Sequence, residues 1–162
     1  MTTPESSRSI AEAVLHLEIV HSDPEAAFTF LEDVLGATRV ETKISAFACQ
    51  AFSIHCVHAK VGNIVFQITQ PPPAFPSWVN ELKDNGPGVH NITFYVKDTE
   101  MVKQKMISHG CHETMDIKIP INQIGIGKES TRVVVMDAKE NTGLRFEFCE
   151  PVEGWPAGGI LP

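Results

Sequence analysis

The 162-residue sequence has no run of basic residues: Lys and Arg number 13 against 20 Asp and Glu, for a formal net charge of −7. Nucleic-acid binding calls for a clustered cationic face, so this balance argues against it. No window approaches the ~18 consecutive apolar residues that a membrane-spanning helix needs. The opening "MTTPESSRSI" lacks the apolar stretch of a secretory leader, and a cytoplasmic location is the expectation. The four cysteines (Cys49, Cys56, Cys111 and Cys149) show no C-x-x-C spacing. That speaks against a disulfide framework or a zinc ribbon and for reduced, small core residues. Tyrosine occurs once, at Tyr95.

A hydrophobic content of 43% and a charged content of 20% are those of an ordinary globular chain. At this length roughly two-thirds of the unfolded surface can be buried. The apolar pattern then repeats itself. "VLHLEIVH" (14–21) alternates as a strand does, and "SDPEAAFTFLEDVLG" reads as a helix. Ser22 or Asp23 caps that helix, Pro24 lies in its first turn and Gly36 ends it, with Ala27, Phe30, Leu31 and Val34 as its apolar stripe. Strand-like segments follow at about 37–43, 51–60 and 63–70. "VHNITFYV" (89–96) opens a second copy: Asp98 caps its helix, Gly110 stops it, and strands lie near 113–118, 131–136 and 143–149. The cap-to-glycine spacing is 13 residues in the first copy and 12 in the second.

The pattern predicts an α+β fold of two tandem βαβββ modules, whose sheets form a cupped, partly open barrel with helices outside. The first module covers 13–70 and the second 89–151. Residues 71–88 form a linker with a short helix around Trp78–Leu82, and 152–162 form an irregular tail.

Alternation along the strands sorts the polar side chains by face. His16 and Glu18 share one face of the first strand, and Gln67 and Thr69 lie on the matching face of the fourth. In the second copy Asn91, Thr93 and Tyr95 share a face, as do Arg145, Glu147 and Cys149, whereas counting puts His90 on the apolar side. The repeat makes His16 equivalent to Asn91 and Gln67 equivalent to Glu147. A polar-lined concave face is where such a sheet would cup a ligand. Of the remaining histidines, His109 and His112 flank a helix end without partners nearby, and His55 and His58 lie on opposite faces of one strand.

"LHLEIVHSDPEAAFTFLEDVLGA", "SWVNELKDNGPGVHNITFYVKD" and "TRVVVMDAKENTGLRFEFCEP" together resemble the vicinal oxygen chelate superfamily, methylmalonyl-CoA epimerases most of all. The resemblance spans about residues 13–151. It implies one divalent ion (Mn²⁺, Mg²⁺, Co²⁺ or Zn²⁺) held by His16, Gln67, Asn91 and Glu147, with Asn91 standing where the family has histidine. One imidazole, one carboxylate and two carbonyl oxygens suit Mg²⁺ or Mn²⁺ better than zinc. It also implies a homodimer, in keeping with the exposed edges that such modules leave.

Epimerisation at one carbon needs a base, a conjugate acid and something to hold an enolate, and a chelated metal would lower the cost of that enolate. Glu147 and Glu18 are the candidate catalytic carboxyl groups, and Tyr95 a candidate donor. Arg145, Asn91 and Thr69 are the candidate substrate contacts. Arg145 would pair with a substrate carboxylate or neutralise one of the glutamates. The reading is an epimerase-like enzyme acting through an enolate on a small acyl substrate, with a CoA thioester among the options. Two alternatives stay open: a metal-free small-molecule binding or resistance protein, and a divergent natural-product biosynthesis enzyme using the same cup.

Overall fold

The computed structural model describes residues 10–126, 129–150 and 152. Eight strands form one α+β sheet: β1 (Ala11–Val20), β2 (Thr38–Arg39), β3 (His55–Val61), β4 (Ile64–Gln70), β5 (Gly88–Val96), β6 (His112–Ile119), β7 (Thr131–Ala138) and β8 (Leu144–Cys149). Their spatial order is β2-β3-β4-β1-β5-β8-β7-β6, a cupped sheet that does not close. At its centre β1 and β5 run antiparallel, each flanked by a parallel partner, β4 and β8 respectively. The helices are α1 (Pro24–Leu35), α2 (Lys43–Ala51), α3 (Pro76–Asn85), α4 (Thr99–Ser108) and the single turn α5 (Lys139–Thr142), with a 3₁₀ turn at Ile121–Ile124.

Local chemistry sets the helix ends. Asp23 Oδ1 accepts from Ala26 N at 3.0 Å to start α1, and Asp98 Oδ1 accepts from Met101 N at 2.8 Å to start α4. Gly36, at φ 65°, ends α1 in the left-handed region that favours glycine. Glu25, in the first turn of α1, pairs with Arg39.

On the outer face, α1 covers Val57, Ala59 and Ile68, while α4 helps to cover Val96, Val134, Met136 and Phe148. The contact residues of α1 differ from the expected stripe. Phe28 is the buried aromatic and Leu31 packs beside it, whereas Phe30 is 63% and Val34 59% exposed. Apolar residues surround this helix, so its packing against β3 and β4 decides which of them are covered.

The predicted strand over 37–43 shrinks to two residues, because Thr42 caps α2 instead: its Oγ1 accepts from Ser45 N, and Ser45 Oγ accepts from Thr42 N. Helix α2 lies over the cup. Ile44, Phe47, Ala48 and Phe52 join Leu15, Tyr95, Ile119, Ile121, Val133 and Cys149 in an apolar cluster there. No helix among the described residues is long and apolar enough to cross a membrane. The tail beyond Val152, and Gly127 and Lys128 of the 120–130 loop, lie outside the described residues.

Two irregularities in the central β1–β5 pairing bear on the site. The register steps from Val14↔Phe94 to His16↔Thr93, leaving Leu15 as an extra residue, and from Glu18↔Asn91 to Ile19↔Val89, leaving His90 extra. A bulge breaks alternation locally. His90 therefore does not join the outer apolar clusters, contrary to the face count. Its ring packs against Trp78 with centroids 4.4 Å apart, and its Nδ1 accepts from Arg145 Nη1 at 3.2 Å and lies 3.3 Å from Glu81 Oε2.

Candidate active site

Four neighbouring strands at the middle of the sheet, β4-β1-β5-β8, bring the polar residues of the cup together. Glu18 on β1 is 1% exposed, and three donors converge on its carboxylate. Gln67 Nε2 and Thr69 Oγ1, from β4, both reach Oε1 at 3.0 Å. Asn91 Nδ2, from β5, reaches Oε2 at 2.6 Å. The same Asn91 nitrogen lies 3.5 Å from Glu147 Oε2 on β8, so one amide bridges two carboxyl groups. Thr93 Oγ1 holds that amide in place by donating to Asn91 Oδ1 at 3.2 Å. On the other side, His58 Nε2 of β3 lies 2.9 Å from Gln67 Oε1, which orients the second amide. The His16 and His58 rings meet edge to face with centroids 6.1 Å apart.

Burial sets the ionisation of these groups. It raises Glu18 above the ordinary carboxyl value, against the lowering effect of the hydrogen bonds from Gln67, Thr69 and Asn91. Burial first, and the charge of Glu18 second, push Glu147 up to about 8. Two carboxyl groups so close in a low-dielectric site do not both ionise readily, so the pair titrates as a unit. Burial also lowers His58, keeping its ring neutral at physiological pH.

A cavity of about 80 Å³ opens onto the pair. Glu18, Glu147, Gln67 and His58 form its polar floor, and Ala48, Phe52, Ile54, Trp78, Met115 and Ile117 are among its apolar walls. By the same measure one water needs roughly 10–15 Å³, so the cavity takes a few water-sized groups. No lysine or arginine lines this cavity among the described residues.

The structure thus gathers Glu18, Glu147, Asn91, Gln67 and Thr69 into one network and sets His16 beside it. Tyr95 and Arg145 stand apart from the pair. The Tyr95 hydroxyl donates to Val152 O at 3.4 Å within the apolar cluster. Arg145 pairs with Glu81 on α3 and with Asp137 on β7, and it faces a separate hollow beside Phe75 and Trp78. Three contributors had no role assigned from the sequence. His58 and Thr93 were legible in principle, because each alternates onto the strand face of its partner; Trp78 depends on how α3 docks.

The four positions implied as metal ligands do not present a divalent donor set as they stand. Asn91 turns its nitrogen to the carboxylates and its oxygen to Thr93. Gln67 commits its nitrogen to Glu18 and its oxygen to His58. The Glu18 carboxylate occupies the point where those amides converge. No group of three or more His, Cys, Asp or Glu placed to hold a metal ion occurs among the described residues.

The fold is that of methylmalonyl-CoA epimerases. The enzyme from Mycobacterium tuberculosis superposes with a TM-score of 0.66 at 19% identity, over 92% of this chain and 94% of that one. A variant of the Streptomyces coelicolor epimerase in complex with 2-nitronate-propionyl-CoA gives 0.64 at 18%, over 86% and 97%. An epimerase in complex with methylmalonyl-CoA and ammonium gives 0.66 at 18%, over 91% and 99%. No protein-family model and no curated protein sequence matches the chain.

Proposed function

We propose that this protein is an epimerase- or isomerase-like enzyme in which Glu18 and Glu147 share acid–base duty on a small acyl substrate, a thioester in the first instance. The observation that carries this reading is the bridged carboxyl pair: two buried glutamates joined through one amide nitrogen. Near neutral pH one member is ionised and the other protonated, which places base and acid in the same pocket. The carboxylate takes a proton from the carbon next to the acyl carbonyl. The carboxylic acid returns a proton to that carbon or to the enolate oxygen. Asn91, donating to both groups, steadies whichever is charged, and the Gln67–His58 contact fixes the geometry around Glu18. Apolar walls from α2, β6 and β7 surround the reacting carbon.

The charge of the floor selects the substrate. With an ionised carboxylate and no lysine or arginine among the described residues lining the cavity, a substrate carrying its own carboxylate at the reacting end would be repelled. The acyl group is therefore neutral at that end. This would separate the chain from structural neighbours that are complexed with methylmalonyl-CoA or 2-nitronate-propionyl-CoA.

The test is solvent exchange. Propionyl-CoA and isobutyryl-CoA, incubated with the protein in deuterium oxide after treatment with chelator, should gain deuterium next to the carbonyl. Glu18→Gln and Glu147→Gln should each slow that exchange by a factor on the order of 10² to 10⁴. Binding without exchange would make the cup a binding site. About one divalent ion per chain by elemental analysis, lost in His16→Ala along with the exchange, would replace the carboxyl-pair reading by a metal-held one.

A further inference from the structure

We infer that Cys49 and Cys56 form a reversible intramolecular disulfide that ties α2 down over the cavity. Cys49 lies in the last turn of α2 and Cys56 is the second residue of β3. The chain between them turns back sharply: Phe52 N donates to Ala48 O at 3.1 Å, Ser53 takes φ 52° and Ile54 N donates to Cys49 O at 2.8 Å. That turn sets the helix end against the strand and brings both cysteines to the walls of the same two cavities. Both are half-buried. Both line the central cavity, and both also line a second hollow on the flank of α2, of about 290 Å³, bounded by Arg39, Thr42 and Val57. An oxidant of the size of hydrogen peroxide can reach them there. The other two cysteines are buried elsewhere, Cys111 against Asn141 and Cys149 against Glu147, and do not compete.

The two thiols have different roles. Hydrogen bonding from Cys56 holds Cys49 below the usual thiol value despite burial, whereas the same contact, together with burial, raises Cys56. The Cys49 thiolate attacks one oxygen of a peroxide, the O–O bond breaks and hydroxide leaves, giving a sulfenic acid. The Cys56 sulfur then attacks the sulfenic sulfur, the S–O bond breaks, and the second hydroxide leaves with the Cys56 proton. Two thiols and one hydrogen peroxide yield one disulfide and two waters. Ser45, Ala48, Cys49 and Phe52 of the α2 segment wall the cavity. A covalent tie at the C-terminal end of α2 holds that wall shut.

The experiment uses the full chain and does not depend on any activity. Residues 44–60, between Lys43 and Lys60, form a single tryptic peptide that carries both cysteines. After brief exposure of the native protein to a few equivalents of hydrogen peroxide, this peptide should lose two hydrogens and resist alkylation, and dithiothreitol should reverse both changes. Cys49→Ser and Cys56→Ser should each abolish the loss. Backbone amides of α2 should exchange about tenfold more slowly in the oxidised wild type than in the reduced one. Full alkylation of both thiols after peroxide, or gain of oxygen at Cys49 without hydrogen loss, would overturn the disulfide. A disulfide that leaves α2 exchange unchanged would overturn the tie.

Discussion

Burying Glu147 beside Glu18 makes the stability of the chain depend on pH, and the sign follows from proton counting. The folded state keeps the Glu147 proton up to about pH 8, whereas the unfolded chain releases it near the ordinary value of 4.5. Between those limits the folded state binds more protons, so stability falls as pH rises through the window. The full shift corresponds to roughly 5 kcal/mol. The buried His90, pushed down to about 4 by burial and by Arg145, acts in the opposite sense: it removes stability as pH falls from 6.5 towards 4. Thermal melts of wild type and Glu147→Gln should therefore diverge between pH 5 and 8, with the variant gaining on the wild type as pH rises; parallel curves would refute the buried pair. Asn91→Leu should cost about 1–3 kcal/mol, since it strips both carboxyl groups of a shared donor, and urea unfolding at pH 7 measures this. At this scale Glu18, Gln67, Thr69, Asn91 and Glu147 could be assigned to one face from strand period alone. His90 could not, because a one-residue bulge defeats a count by twos. Tyr95 lies on the expected face but at the end where β1 brings Leu15, so it meets apolar neighbours.

Among the elements, α2 is the least anchored by pattern and the most consequential. Its start depends on the reciprocal Thr42–Ser45 contacts, and Thr42→Ala should cost about 1 kcal/mol and speed amide exchange in α2 before it affects β1 or β5. If exchange rises uniformly across the molecule instead, α2 is not a separate unit. The sequence "TKISAFACQAF" hides this helix because serine, not glutamate, completes its capping box, and because the segment sits where the repeat calls for strand. Helix α3 was legible only as a short helix around Trp78–Leu82, shorter than the Pro76–Asn85 observed. Its docking rests on Glu81, which reaches Arg145, Lys139 and His90, partners 64, 58 and 9 residues away in sequence.

For the molecule as a whole, the repeat of strand, capped helix and three further segments makes the α+β cup legible in the sequence. Which strands become neighbours was less accessible, because pairing β1 with β5 joins segments some 75 residues apart through their hydrogen-bonding edges rather than through any side-chain pattern. The open sheet leaves β2 and β6 as its two edges, and we expect the chain to pair with a second copy. Light scattering at micromolar concentration should give twice the chain mass; a single-chain mass would rule the dimer out.

The bridged carboxyl pair lies across the seam between β1 and β5. Glu18 belongs to the first half and Glu147 to the second, and the amide that joins them comes from the second. Neither half can assemble the bridged carboxyl pair alone. Fragments cut between β4 and β5 would each be chemically mute, and mixing them would restore the raised glutamate titration only as far as they reassociate. Complementation would thus report the joining of the two halves as directly as it reports chemistry.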